Sequence, residues 1–402
     1  MDKGERQVRG ARDEFLNNLR REERSEMIKR KLVFSRVESN STEQGQGKPI
    51  KDLEIYGDKA LDVEVSIKRA ESEPSKEEDM DNYVDMVIRG SIIDQHTGIV
   101  KLRKCLSAQI GTPIEKALQL GVLPYLIELV KQDQHPQLKV QATWCITNLA
   151  TGTSAQTQKL VDKGVIPLFI QLLSKADLDL VEQAVWGLGN IAGDGVEFRD
   201  IVIMNNTMAL YVNLFEQVKQ INEKIKEQII WAASNLCRGK PGPDIEKVSI
   251  GINMFAEVLC TTSKTSSLID CVWSLMAICR KATIHRFGSL HLCDRLVELL
   301  YSEHTMIQQP VAKIVSAYIN NNDDLLQVDN YMTQELVRSN VIKALRYMLN
   351  SHSKVIKKIS LMCLANIVAG HADLSLMVFK DDVLIKKLLG MVANEDQEVI
   401  FG

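Results

Sequence analysis

Aromatic side chains are scarce in this 402-residue chain, at 5% of positions. A β-sandwich or barrel builds its strands on aromatic and β-branched residues, so that class is disfavoured. Proline is also rare, nine in all. Together with the glycines it falls mostly at segment ends, which leaves helices uninterrupted. No run reaches the ~18 consecutive apolar residues of a membrane span, and the opening Met1-Asp-Lys-Gly-Glu-Arg6 lacks the apolar stretch of a secretory leader. The eight cysteines (105, 145, 237, 260, 271, 279, 293, 363) form no Cys-x-x-Cys pair, and the seven histidines lack zinc-site spacing. They read as buried, reduced thiols of an intracellular protein. An excess of one charge sign is missing too, since the net charge is −3. That argues against a nucleic-acid coat and fits an acidic groove for basic partners. No catalytic constellation, metal site or cofactor motif stands out, and neither nucleic acid nor membrane is an expected partner.

What is present is helical patterning. Over Leu180–Gly195, a helix at ~100° per residue gathers Val181, Ala184, Val185, Leu188 and Ala192 into one apolar stripe. Gln183, Trp186, Asn190 and, past the expected helix end, Asp194 fall on the opposite side. An indole turned away from the core, one turn before a carboxamide, suggests a binding surface. The pair recurs as Trp144/Asn148 and Trp231/Asn235. From Trp144 through Trp186 and Trp231 to Trp273 the steps are 42, 45 and 42 residues, and these are all the tryptophans of the chain. Such a period in a helical chain belongs to HEAT and armadillo arrays. The expected fold is all-α, a right-handed superhelical solenoid of armadillo repeats behind a basic N-terminal segment and a disordered linker.

In chain order, residues 1–36 are dense in basic side chains interleaved with carboxylates, which favours a helix that folds on an acidic partner surface. A solvated charged arm or an RNA-binding tail is the plainer reading of the same composition. Residues 37–82, rich in Ser, Glu, Lys, Asp and Gly, read as a disordered linker. Repeats are expected over 83–402, about seven, the last incomplete. Gly121-Val-Leu-Pro124 and Gly164-Val-Ile-Pro167 mark two junctions where glycine ends one helix and proline opens the next. Middle helices are expected at Leu210–Gln217, Val248–Leu259 and Val383–Val392. Third helices are expected around Trp273, at Pro310–Ile319 and at Ser360–Gly370. There Ala277, Lys313/Ala317 and Met362/Asn366 take the places of the Trp/Asn pairs.

Third helices of a solenoid line one concave wall. Asparagines there can bond the backbone of an extended peptide. Indoles offer slots for lysine or arginine stems, with cation–π attraction of ~0.5–2 kcal/mol each. Asp194 and Asp270 would receive the charged ends. A lone Trp/Asn pair reads more readily as a core tryptophan with an asparagine capping or bridging neighbouring helices; three pairs facing away from their own stripes favour the groove. Gly187-Leu-Gly189-Asn-Ile-Ala-Gly193 mimics a phosphate loop only superficially, because it follows no strand.

At these residues the chain resembles importin-α, the family of adaptors for basic nuclear localisation signals. The likeness is carried by Thr147-Asn-Leu-Ala-Thr-Gly-Thr-Ser-Ala-Gln-Thr157, by Glu182-Gln-Ala-Val-Trp-Gly-Leu-Gly-Asn-Ile-Ala-Gly-Asp194 and by Trp231-Ala-Ala-Ser-Asn-Leu-Cys-Arg-Gly-Lys240. It extends to Arg20-Arg-Glu-Glu-Arg-Ser-Glu-Met-Ile-Lys-Arg-Lys31, which is similar to the importin-β-binding segment. The resemblance implies a major site in which Trp144, Trp186 and Trp231 form slots and Asn148, Asn190 and Asn235 clamp the signal. Gly152 (through its carbonyl), Thr157 and Asp194 would hold a key lysine, and Gln183 and Asp270 match further groove positions. It implies contact with importin-β through Arg20, Arg21, Arg24, Lys29, Arg30 and Lys31, competition of the basic N-terminal region with cargo for the groove, and shuttling between cytoplasm and nucleus. A minor site would retain Lys313 and Asn366 but is degraded by Ala317 and Met362. The chain is divergent, and it stops before the repeats where the family binds its export receptor, so a C-terminally truncated array is expected. The competing expectation is a non-enzymatic armadillo scaffold for other extended peptides.

Overall fold

A computed structural model describes residues 60–107, 112–280, 282–320, 331–370 and 372–393, and among them every regular element is a helix. The chain divides into two compact units between Pro243 and Asp244. The first holds α1 (Ala60–Ser72), α2 (Met80–Arg89), α3 (Ile92–Leu106), α4 (Ile114–Gln119), α5 (Leu123–Lys131) and α6 (Pro136–Leu149). It continues with α7 (Ser154–Asp162), α8 (Val165–Leu172), α9 (Leu178–Asp194), α10 (Val196–Met204), α11 (Thr207–Val218) and α12 (Glu223–Leu236). The second holds α13 (Ile245–Val248), α14 (Ile252–Thr261), α15 (Thr265–Ile278), α16 (Cys293–Leu299) and α17 (Thr305–Ile319). After these come α18 (Tyr331–Arg338), α19 (Val341–Met348), α20 (Lys354–Ala369), α21 (Ala372–Phe379) and α22 (Asp382–Ala393).

Each repeat is a short helix, a middle helix and a longer third helix. In the first unit the third helices pack in series, α3 on α6, α6 on α9 and α9 on α12, with α5, α8 and α11 each backing its own third helix. The second unit repeats the scheme with α15, α17 and α20 in series. The stripe Val181, Ala184, Val185, Leu188 and Ala192 is buried as its spacing predicts, each large side chain contributing roughly 1.5–3 kcal/mol. Gly121 (φ 73°) and Gly164 (φ 76°) take the left-handed conformation at the two predicted junctions, and Asn206 and Asn340 do the same ahead of α11 and α19. Pro124 and Pro167 lie in the first turns of α5 and α8, where a missing amide costs nothing.

Three expectations change. The linker over 37–82 is not disordered in its described part. Residues 60–72 form α1, residues 77–79 a single 3-10 turn, and α2 opens at Met80. Val63 and Ala70 of α1 are buried. Lys104 of α3 donates to the carbonyls of Ala70, Glu71 and Glu73, closing the end of α1 with a cation. Composition could not reveal this, because the partners sit some thirty residues downstream. Next, α17 begins at Thr305 rather than Pro310, which lies buried inside the helix. Finally, Cys260 is exposed and Cys293 half-buried, whereas burial pushes the thiols of Cys145, Cys279 and Cys363 up to about 12. The expected basic segment 1–36 with Arg20, Arg21, Arg24, Lys29, Arg30 and Lys31, residues 37–59 of the linker and the last stretch 394–402 lie outside the described residues.

Candidate peptide-binding site

The three Trp/Asn pairs sit on consecutive third helices, on α6, α9 and α12. Spacing of i, i+4 puts each pair on one helix face. Trp186 and Trp231 are half-buried and meet edge to face, 6.3 Å between ring centroids at 73°. Two glycines make this possible. A Cβ on Gly189 would lie 2.7 Å from the Trp231 ring, and one on Gly187 would lie 2.1 Å from the Phe169 ring. The glycine run that imitates a phosphate loop therefore lets an indole and a phenyl ring settle against α9. Trp144 differs, being only 7% exposed.

The asparagines carry helix-bridging bonds. Asn190 Nδ2 donates to Thr147 O (3.2 Å), Asn235 Nδ2 to Gly189 O (2.8 Å) and Asn148 Nδ2 to Ser107 Oγ (3.0 Å). Each thus ties its third helix to the one before it. Asn148 and Asn235 are buried by this packing, and Asn190 alone is half-buried. Of the expected row of open carboxamides, the middle one faces outward most.

Next to Asn190 the polar groups are less complete. Asp177 caps the start of α9 by accepting from the amides of Asp179 and Leu180, and the helix runs seventeen residues to end on Asp194. There Asp194 Oδ1 accepts from Ser154 Oγ (3.2 Å), which joins the end of α9 to the first turn of α7. The amides of that turn favour a carboxylate. Asp194 Oδ2 is sheltered from solvent and has no hydrogen-bond partner among the described residues. The Thr157 hydroxyl, one turn into α7, is wholly buried and equally unmatched. Gln183, expected on the open side, is 1% exposed, and both atoms of its amide lack partners among the described residues. Gly152, half-buried, precedes α7 by two positions. A buried polar atom without a partner costs roughly 1–3 kcal/mol. The unmatched oxygens of Asp194 and Thr157, where the end of α9 meets the first turns of α7, call for a donor, and a cation above all, whereas Gln183 lies about three turns earlier on α9.

The remaining predicted residues belong to the second unit. Asp270 is buried on α15, and so is Trp273. The indole N–H of Trp273 donates to Met306 O at 2.8 Å. That carbonyl would ordinarily accept from the amide four residues on, which is Pro310 and has none. Trp273 fills the gap. Lys313 is half-buried on α17, and Asn366 on α20 donates to Asn320 Oδ1.

Three residues near the first site carry signals that the Trp/Asn search passes over. Arg103 and Ser107 stand 41 positions ahead of Trp144 and Asn148 (103 to 144, 107 to 148), so they hold the same ladder places in the last turn of α3 and just past its end. Arg238 donates to Asn235 Oδ1 and to Ser234 Oγ. Only a search by repeat position, without regard to residue type, would have found the first pair.

The Armadillo/beta-catenin-like repeat model matches residues 113–151 and 153–193. The chain is 32% identical over 265 residues to importin subunit alpha-1b of Oryza sativa subsp. japonica, covering 64% of this chain and 47% of the relative. It is 35% identical over 207 residues to importin subunit alpha-2 of Arabidopsis thaliana, covering 50% and 37%. With importin subunit alpha-1a of Oryza sativa subsp. japonica it shares 32% over 280 residues, covering 68% and 51%. The chain thus spans about half the length of these relatives or less. A crystal structure of an engineered protein has the same fold, with a TM-score of 0.66 at 18% identity over 86% of this chain and 84% of that one. Among the described residues no cluster of His, Cys, Asp and Glu is arranged to hold a metal, and no helix is long and apolar enough to cross a membrane. With its period, its Trp/Asn rungs and these relatives taken together, the chain is an armadillo-repeat solenoid that is similar to importin-α subunits over about half their length or less.

Proposed function

We propose that the chain is a nuclear import adaptor whose first unit binds an extended lysine/arginine-rich localisation signal across α6, α7, α9 and α12. The observation that carries this reading is the pair of sheltered, unmatched oxygens on Asp194 and Thr157, on the same run of helices as the half-open Trp186–Trp231 pair. An incoming lysine ammonium supplies donors to Asp194 Oδ2 and Thr157 Oγ1, with the Gly152 carbonyl at the same corner. The indoles flank the methylene stems of neighbouring basic residues. Asn190 has its Oδ1 and a second N–H for the signal's backbone, while Asn148 and Asn235 mainly hold the third helices in register.

Cargo would pass to importin-β through residues 1–36, by way of Arg20, Arg21, Arg24, Lys29, Arg30 and Lys31, and the adaptor would shuttle between cytoplasm and nucleus. Support for this step comes from the likeness to importin-α subunits and from the basic composition of the segment. The reaction is binding alone and calls for no chemistry from the protein. The second unit, with Ala277, Lys313/Ala317 and Met362 at its rungs, is assigned a lesser part, so bipartite signals gain little over monopartite ones.

The test is a titration of the full chain with fluorescent Pro-Lys-Lys-Lys-Arg-Lys-Val, beside a copy with its second lysine changed to threonine. Micromolar or tighter binding that is lost in the altered copy is expected. Asp194→Lys should weaken the first peptide at least about 100-fold with helix content unchanged, since it places a cation where one must bind. Unaltered affinity in that variant would remove the lysine pocket.

A further inference from the structure

The ladder has a rung that is already filled. Arg103 stands where the period calls for a tryptophan, and Ser107 accepts from Asn148 where the later asparagines bond a backbone carbonyl. The Arg103 guanidinium carbon lies 4.4 Å from the centroid of the Trp144 ring. Its Nη2 pairs with Glu71 Oε1 of α1 at 2.5 Å, and the arginine side chain is almost wholly buried. Trp144 is correspondingly closed, whereas Trp186 and Trp231 remain half-open. A planar guanidinium stacked on an indole and held by a carboxylate is what a groove of this type would offer an arginine of its ligand. Here the protein supplies that arginine itself.

We infer that Arg103 is a specificity-determining residue of the groove, an internal cation that closes the α3-facing side of Trp144 and ends the run of cation slots there. Glu71 is its positioning residue, and α1 is the element that brings Glu71 into place. A bound segment then gains affinity from basic side chains between Trp144 and Trp231, but not from further ones extending past Trp144 toward α3. The inference rests on the proposed binding of basic segments.

The experiment uses the full chain and two fluorescent peptides, Pro-Lys-Lys-Lys-Arg-Lys-Val and the same sequence with two lysines added at each end, at 0.15 M salt. The quantity read is the ratio of their affinities, which removes general Coulomb attraction common to protein and variant. In the double variant Glu71→Gln/Arg103→Met the arginine's stem volume is kept and net charge is unchanged. Neither partner is left buried and alone. The ratio should rise about fivefold in favour of the longer peptide, with helix content as before. Should the double variant fail to fold, Glu71→Gln alone, which frees Arg103 from its anchor, should move the ratio the same way by about twofold. An unchanged ratio with normal short-peptide binding overturns the role of Arg103 and leaves the function standing. Binding of neither peptide to the unaltered chain overturns the functional reading, and the inference with it.

Discussion

The two units use one repeat plan for different surfaces. In the first, the rungs on α9 and α12 hold half-open indoles beside acceptors that nothing in the described residues satisfies. In the second, Trp273 keeps the period but turns inward, because a proline in the facing helix leaves Met306 O needing a donor. Beyond it, Lys313/Ala317 and Met362/Asn366 occupy the rung positions, and Met362 lies exposed. Helix stacking depends on the apolar stripe, which both units retain. What the rung residue does depends on its neighbour about 40 residues away. The architecture therefore tolerates wide change at the rungs, and a recurring tryptophan is not by itself a binding residue.

Exchanging the roles of the two tryptophans is the strongest way to break this comparison. Trp273→Ala should destabilise the second unit by about 3–5 kcal/mol, through cavity formation and an unmatched carbonyl, with signal-peptide affinity unchanged. Trp231→Ala should do the reverse, weakening the peptide about tenfold for a smaller loss of stability. Urea unfolding and peptide titration of both variants decide the matter; equal effects on binding would make the two rungs equivalent.

Acid sharpens the contrast between the units. His96 of α3 is buried, and burial, helped by the nearby His135, lowers its pKa to about 4. The unfolded chain takes up the proton near the ordinary 6.5 but the folded one only near 4. Stability is therefore complete above 6.5 and falls as pH drops from 6.5 toward 4, by on the order of 3 kcal/mol. Urea midpoints at pH 7.0 and 4.5 should show the first unit losing more than the second, and His96→Met should remove most of that difference.

The smallest effect concerns the glycine beneath Trp231. Gly189→Ala places a methyl within 2.7 Å of the ring and should cost about 1–2 kcal/mol. It should also alter tryptophan fluorescence by disturbing the Trp186–Trp231 contact. An unchanged spectrum with unchanged stability would mean the indole is not seated on that glycine.

Local pattern made much of this legible. The period, the apolar stripe from Val181 to Ala192, the Gly-Val-x-Pro junctions and the ladder of Trp186, Asn190 and Asp194 all follow from spacing along the chain. Even so, periodicity placed Gln183 on the open face, whereas packing buries it. Periodicity assigns a direction around one helix and cannot say how closely the next helix approaches.

By itself, then, the sequence determined a helical array with an approximately 42-residue repeat and a ladder of Trp/Asn rungs along it. Tertiary structure decided which rungs are open. It joined Glu71 to Arg103 and Arg103 to Trp144, led Asn190 and Asn235 to carbonyls on the preceding helix, and matched Trp273 to the carbonyl left by Pro310. The physical reason is range. Helix formation and face assignment rest on neighbours three or four positions apart, whereas exposure and hydrogen-bond satisfaction rest on partners one repeat away.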